Sequence, residues 1–180
     1  MASTLQEQYR KEIVPKLKEE LGIKNIMAVP KLDKVSLNIG LNTRSADANL
    51  VELVEKNLTR ITGQKPVKTK AKKAISAFKV REGMVVGMKV TLRGKKMYDF
   101  VDKLINITIP RIRDFRGLDK KIVDKQGNLT LGFKEHIVFP EIRSDEVERI
   151  HGLEVTIGTT AKDREAGLKL FELLGVPFKK

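Results

Sequence analysis

The chain has 180 residues, with 36 Lys and Arg against 23 Asp and Glu, a formal charge of +13 and no cysteine. That length supports one domain with a sizeable core, and the missing thiols exclude disulfides, thiolate zinc sites, iron–sulfur clusters and cysteine nucleophiles. An excess of this size repels itself unless a polyanion screens it, so nucleic acid or an anionic membrane surface is the leading partner class. The longest apolar runs are too short to span a bilayer. Glu7, Glu12, Glu19 and Glu20 argue against an acid-poor transit peptide, so a cytoplasmic protein is expected.

Leu5, Tyr9, Ile13, Leu17 and Leu21 recur every four residues and predict a helix, with Ser3 and Gln6 placed for reciprocal capping and Gly22 as its stop. Pro15 is expected to kink or divide it. Val35, Leu37, Ile39 and Leu41 alternate with polar residues, the period of a half-buried strand over 34–41. A helix follows with Leu50, Leu53, Val54, Leu58 and Ile61 on one face and Gly63 at its end. Residues 64–70 look extended, and Val86, Met88, Val90 and Leu92 alternate through a strand at 86–93. Between those two lies a basic segment, 71–85. Met97, Phe100, Val101, Leu104 and Ile105 mark an amphipathic helix that Pro110 should terminate. Residues 111–128 show no period and read as a long mobile loop. Strands are expected at 129–134 and 153–159, and a last helix carries Ala166, Leu170, Leu173 and Leu174, with a capping box from Thr160 to Asp163 and Gly175 at its end.

These elements make one α+β domain over residues 1–180: a single mostly antiparallel sheet with helices on one face and a long basic loop between two strands. The face left open would collect Lys34, Ser36, Asn38, Gln64, Lys68, Lys89, Thr91, Arg93, Thr130, Lys134 and Thr156. No carboxylate belongs to this set, so it suits contact with phosphates, sugar hydroxyls and base edges. The charge is also local. Residues 65–96 hold eleven basic residues against Glu82 alone. With Phe78 the one aromatic inside the basic segment, recognition by shape and backbone is expected over base stacking.

Catalytic signatures are missing. Gly94-Lys95-Lys96 resembles the end of a phosphate-binding loop, but position 89 is Lys and no Ser or Thr follows the lysine. His136 and His151 have no third ligand at usable spacing and read as surface or helix-edge residues, so no metal, cofactor or enzymatic activity is expected.

Gly63-Gln64-Lys65-Pro66, Thr69-Lys70-Ala71-Lys72-Lys73, the run Phe78 to Met84 and Lys89-Val90-Thr91-Leu92-Arg93-Gly94 closely resemble the bacterial large-subunit ribosomal protein L5 family. So do the run Pro110 to Gly117, Phe139-Pro140-Glu141-Ile142, Thr159-Thr160-Ala161-Lys162 and Leu174-Gly175-Val176-Pro177-Phe178, in the family's order along the whole chain. The resemblance implies a non-enzymatic constituent of the ribosome's central protuberance that meets other components there. It implies binding of 5S rRNA through Lys34, Asn38, Gln64, Phe78, Thr91 and Arg93. It further implies contact of the 71–85 loop, with Lys72, Lys73, Lys79 and Arg81, with the peptidyl-site tRNA. A second region from Arg111, Arg113 and Arg116 toward Asp145 is implied to bridge to small-subunit ribosomal protein "S-thirteen". Here His136 stands in place of a usual Gln. On composition alone, a non-ribosomal RNA chaperone or translation factor is the alternative.

Overall fold

A computed structural model describes residues 4–41, 48–113, 115–143, 147 and 149–179. Ser3 and Asp145, to which the sequence assigned a cap and the end of a bridge region, lie outside the described residues, as does Asp114. The fold is α+β with one five-stranded antiparallel sheet. Its strands are β1 (Leu32–Gly40), β2 (Val67–Lys70), β3 (Val85–Leu92), β4 (Leu129–Phe133) and β5 (Leu153–Thr159), in the order β2-β3-β1-β5-β4. Each lies within three residues of its expected boundaries. The helices are α1 (Thr4–Gln8), α2 (Val14–Glu20), α3 (Ala48–Thr62), α4 (Gly94–Lys103) and α5 (Arg164–Leu173). None of the described helices is long and apolar enough to cross a membrane.

The chain divides into two compact units, residues 1–35, 92–131 and 156–180, and residues 36–91 and 132–155. In the first, Leu5, Tyr9, Ile13 and Leu17 are buried, as are Met97, Phe100, Val101 and Leu104 of the 94–108 helix and Leu170 and Phe171 of α5. The Tyr9 hydroxyl donates to the Pro30 carbonyl at 2.8 Å, and its ring lies 6.2 Å from that of Tyr98. Burial, with Tyr98 beside it, pushes the Tyr9 phenol up to about 12, so it stays a neutral donor.

Both prolines in the helical segments are accommodated alike. A proline ring clashes with the carbonyl four residues back and offers no N–H. A π-helical turn, Tyr9–Ile13, ends two residues before Pro15, and another, Leu104–Thr108, ends two residues before Pro110. The carbonyls at risk, those of Lys11 and Asn106, lie inside these wider turns, where one added residue relaxes the ladder. The backbone stays helical from Thr4 to Glu20, so what stands before Pro15 is a wider turn within one helical run and not the division that was expected. Pro110 does not stop its helix cleanly, which instead runs on into a 3-10 turn at Ile109–Arg111.

Residues 111–128, read from sequence as a long mobile loop, are largely tied down. Leu118 donates to the Pro177 carbonyl at 2.8 Å and accepts from the Lys179 amide at 2.9 Å. Asp119 caps a 3-10 turn at Lys120–Ile122, Arg164 donates to the Lys120 carbonyl, and Lys120 pairs with Glu172 at 3.0 Å. The Asp124 carboxylate accepts from the amides of Gln126 and Asn128 and from the Asn128 side chain. Among the described residues of this stretch, 112, 113 and 115–117 belong to no helix or strand. The cap of α5 also differs from expectation. Asp163 itself accepts the Ala166 amide at 2.8 Å, while the Thr160 hydroxyl accepts the Lys31 amide at 3.0 Å.

In the second unit α3 buries Val54, Leu58 and Ile61 and closes at Gly63, whose φ of +63° suits a residue without a Cβ. Leu37, Ile39, Met88, Val90, Leu153 and Val155 supply the strand side of this core. Phe133 meets Phe139 edge to face at 5.4 Å.

Candidate nucleic-acid interface

Strand pairing decides which side chains share a face. In an antiparallel pair, residues directly opposite each other point to the same side. Val67 is opposite Lys89, Lys68 opposite Met88, and Thr69 opposite Gly87. Met88 is fully buried, so Lys68 belongs to the core side. There its ammonium meets Glu55 of α3 at 2.8 Å, with Lys65 on the other oxygen at 3.7 Å. The Lys68 hydrogen bond, above all, holds the Glu55 carboxyl below its usual range. The sequence assignment of Lys68 to the open face is thus corrected: Val67 and Thr69 take its place beside Lys89. The loop joining β2 to β3 is too long to fix register by turn geometry, so parity was not legible beforehand.

In the second unit, the open side therefore presents Asn38 of β1, Val67 and Thr69 of β2, and Lys89 and Thr91 of β3. Asn38 and Lys89 are exposed, Thr91 is partly so, and Val67 keeps 69% of its surface accessible. Gln64, just before β2, donates its side-chain amide to the Thr91 carbonyl at 3.3 Å, and its own amide is received by the Thr62 hydroxyl. This fixes the Gln64 side chain against β3, next to Thr91. Gly87 allows β3 to approach β1, and the Thr69 hydroxyl lies over it.

Lys34 and Arg93 belong to the first unit. Lys34 is exposed, and its stem runs along Gly158 of β5. Arg93 is not surrounded by cations and amides alone: its guanidinium meets Asp33 at 3.2 Å, with both side chains about half exposed. The expectation of a carboxylate-free surface thus fails at this point. A neighbouring carboxylate orients the guanidinium while lowering its net charge, and such an exposed pair contributes little stability. Thr130 and Thr156 bridge β4 and β5 through their hydroxyls at 3.3 Å.

The basic segment is a shaped projection. Beyond β2 and β3, Ala71 exchanges hydrogen bonds with Met84 and Gly83. Ile75 and Val80 then pair in both directions, at 2.9 and 3.1 Å, around a 3-10 turn at Ser76–Phe78. Lys79 closes that turn at φ +53°, the one non-glycine residue with positive φ among the described residues. Phe78 is 63% exposed at this tip. It sits beyond the β2–β3 ladder, whereas Gln64 and Thr91 lie at the ladder's other end. Lys72, Lys73, Lys79 and Arg81 are exposed along the same projection. Arg111, Arg113 and Arg116 are exposed in the first unit just before Leu118 pairs with the C-terminal segment.

Among the described residues no group of three or more His, Asp or Glu side chains is placed to hold a metal ion. The histidines, expected at the surface, are instead stacked together inside the second unit.

Residues 25–81 match the family described as ribosomal protein L5, and residues 85–178 match the ribosomal L5P family C-terminus. The chain is 56% identical to a large ribosomal subunit protein uL5 of Desulforapulum autotrophicum, over 98% of its own length and 99% of the relative's. It is 52% identical to the uL5 proteins of Halothermothrix orenii and Thermotoga maritima, over 98% of its length and 98% and 96% of theirs. With family matches over both parts of the sequence and relatives more than half identical along nearly all of it, the chain belongs to the ribosomal protein L5 family.

Proposed function

We propose that this protein is a structural constituent of the large ribosomal subunit, not an enzyme, and that it binds 5S rRNA. The observation that carries the RNA reading is the composition of the exposed strand side in the second unit. Asn38, Gln64, Lys89 and Thr91 offer amide, hydroxyl and ammonium groups from rigid strands, with the Gln64 side chain already oriented by Thr91. Such groups reach sugar hydroxyls, phosphates and base edges, and a strand scaffold keeps the ordering cost on binding low. Lys34 and Arg93 of the first unit add phosphate contacts. The projection at 71–85, with Lys72, Lys73, Lys79 and Arg81, extends to a second RNA, the peptidyl-site tRNA, while Phe78, exposed at its tip, adds to the 5S rRNA contact. Arg111, Arg113 and Arg116 face small-subunit ribosomal protein "S-thirteen" across the intersubunit bridge. The whole chain acts as one RNA-binding domain in this role.

The test is titration of 5S rRNA and of a generic duplex with the full chain at several salt concentrations. Substituting Asn38, Gln64 and Thr91 by Ala weakens the cognate RNA far more than the duplex. Lys72→Glu with Lys73→Glu spares 5S rRNA and impairs ribosomes carrying tRNA. Equal losses on both RNAs would overturn the specific role of the strand face. Release of the protein from large subunits by a high-salt wash would favour a transient translation factor instead.

A further inference from the structure

His136 and His151 form a contact that RNA binding does not use. Their rings stack in parallel, 3.8 Å apart and 3° from coplanar orientation. His136 is fully buried in the 3-10 turn His136–Val138, and His151 lies two residues before β5. The backbone N–H of His151 donates to Nδ1 of His136 at 3.3 Å. The His151 carbonyl lies at the same 3.3 Å, so Nδ1 accepts from that N–H in one tautomer and donates to that carbonyl in the other, while Nε2 is buried without a hydrogen-bond partner in both. On the other ring, Nε2 lies 3.5 Å from the side-chain amide nitrogen of Asn57 on α3, and Nδ1 is buried without a partner. Three segments of the second unit therefore converge on two neutral imidazoles.

We propose that the stacked His136–His151 pair, held against Asn57, is an acid-sensitive latch. Neutral rings tie the 136–138 turn to the approach to β5 and to α3, and a proton on either ring opens that junction.

The chemistry follows from what each ring faces. A proton added to His136 either turns Nδ1 from acceptor to donor against the His151 amide or places an N–H on the buried, partnerless Nε2. A proton on Nε2 of His151 turns it toward the Asn57 amide as donor against donor. Either cation also lies face to face with the second ring in a site largely closed to water. Glu135 and the His151 backbone favour the charged form of His136, but burial outweighs them and its pKa falls below the ordinary histidine value. On His151, burial and the neighbouring His136 together press the pKa down to about 4, against a small opposing effect of the Gly152 backbone. From α3 the group in contact with the His151 ring is the neutral Asn57 side chain. With folded values below the unfolded one, the latch is closed above about pH 6.5 and loses stability as pH falls toward 4.

Two measurements on the full chain test this. Proton NMR of the imidazole Cε1–H signals reads each titration directly, and hydrogen exchange reads opening of the amides at 136–142 and 151–153. With His151 titrating at about 4 when folded and about 6.5 when unfolded, the closed-to-open ratio falls about thirtyfold between pH 8 and pH 5. Protection corrected for intrinsic rates should fall by that factor at these amides and stay constant at Asn128. In the variant with His136→Gln and His151→Gln the acid-dependent loss should vanish. Should that variant fail to fold, the wild-type titration alone decides. A His151 midpoint near 6.5, an equal loss throughout the chain, or an undiminished loss in the folded variant would each overturn the proposal.

Discussion

Gly87 and Ile39 approach so closely that a Cβ on Gly87 would lie 2.6 Å from the Ile39 carbonyl oxygen. No side-chain movement relieves a clash with backbone, so β1 and β3 hold their spacing only with glycine at this point. Gly87→Ala should destabilise the chain by about 1–3 kcal/mol, the usual range for overpacking, and weaken RNA binding by displacing Thr69 and Lys89. Gly40→Ala provides the control. A Cβ there meets nothing within 4 Å, and chemical denaturation should show a shift of less than about 0.5 kcal/mol.

The register that separates Lys68 from Lys89 makes a sharp distinction between two lysines in neighbouring strands. Lys89→Ala should weaken 5S rRNA binding and flatten the dependence of log affinity on log salt by about 0.7 to 0.9, the loss of one phosphate contact. Lys68→Ala should leave that slope unchanged, because its ammonium is engaged by Glu55 on the core side. Slopes that change equally would show that both face the RNA.

Lys79 carries backbone strain. An L-residue in the left-handed region costs roughly 1–2 kcal/mol relative to its favoured conformations. Lys79→Gly should therefore preserve or raise thermal stability while removing one cation from the tip, and Lys79→Ile should lower it, since branching at Cβ aggravates the clash. Separating conformation from charge needs Lys79→Asn, which tolerates positive φ. If only charge matters at this position, Asn and Ile will give the same melting temperature.

Asp124 organises the turn before β4. Burial alone would raise its pKa, but hydrogen bonds from the Asn128 side chain and the amides of Asn128 and Gln126 outweigh that and hold it below the usual carboxylate value. The turn is consequently at full strength above about pH 4 and weakens as pH falls through the folded value. Asp124→Ala should abolish this acid dependence and speed exchange of the Asn128 amide at neutral pH, without altering exchange at Ala166, whose partner is Asp163.

Most of the fold was legible because alternation in Val35–Ile39, Met88–Leu92 and Leu153–Ile157 reports burial on one side of a strand, and helical period reports it on one face of a helix. Turns held by side-chain bonds to backbone leave no such trace. Asp119, Asp124 and Asn128 order a stretch whose apolar residues have no period, and the stretch reads as loop. Nor does one strand's pattern reveal its partner's parity. Lys68 and Val67 are both plausible on the open side until the residues opposite them are known. The histidines escaped for a third reason: His136 and His151 are fifteen residues apart, and no short-range spacing anticipates two rings meeting face to face.

The wider turns ahead of Pro15 and Pro110 set a rule for insertions and deletions in these helices. Each advances the chain by one residue beyond the ordinary helical repeat, so the two sides of the turn are rotated by about 100° relative to an uninterrupted helix. Removing any single residue from 9–13 would restore the ordinary repeat. The extra residue is absorbed within the turn, so Leu5 and Leu17 would keep their common side, and the cost would fall on Pro15, whose ring would be driven into the carbonyl four residues back. The same holds for 104–108 and Pro110. A one-codon deletion at either place is costly while the proline remains, and is relieved when the proline is replaced by alanine in the same chain. Each proline thus fixes the length of the helix that precedes it.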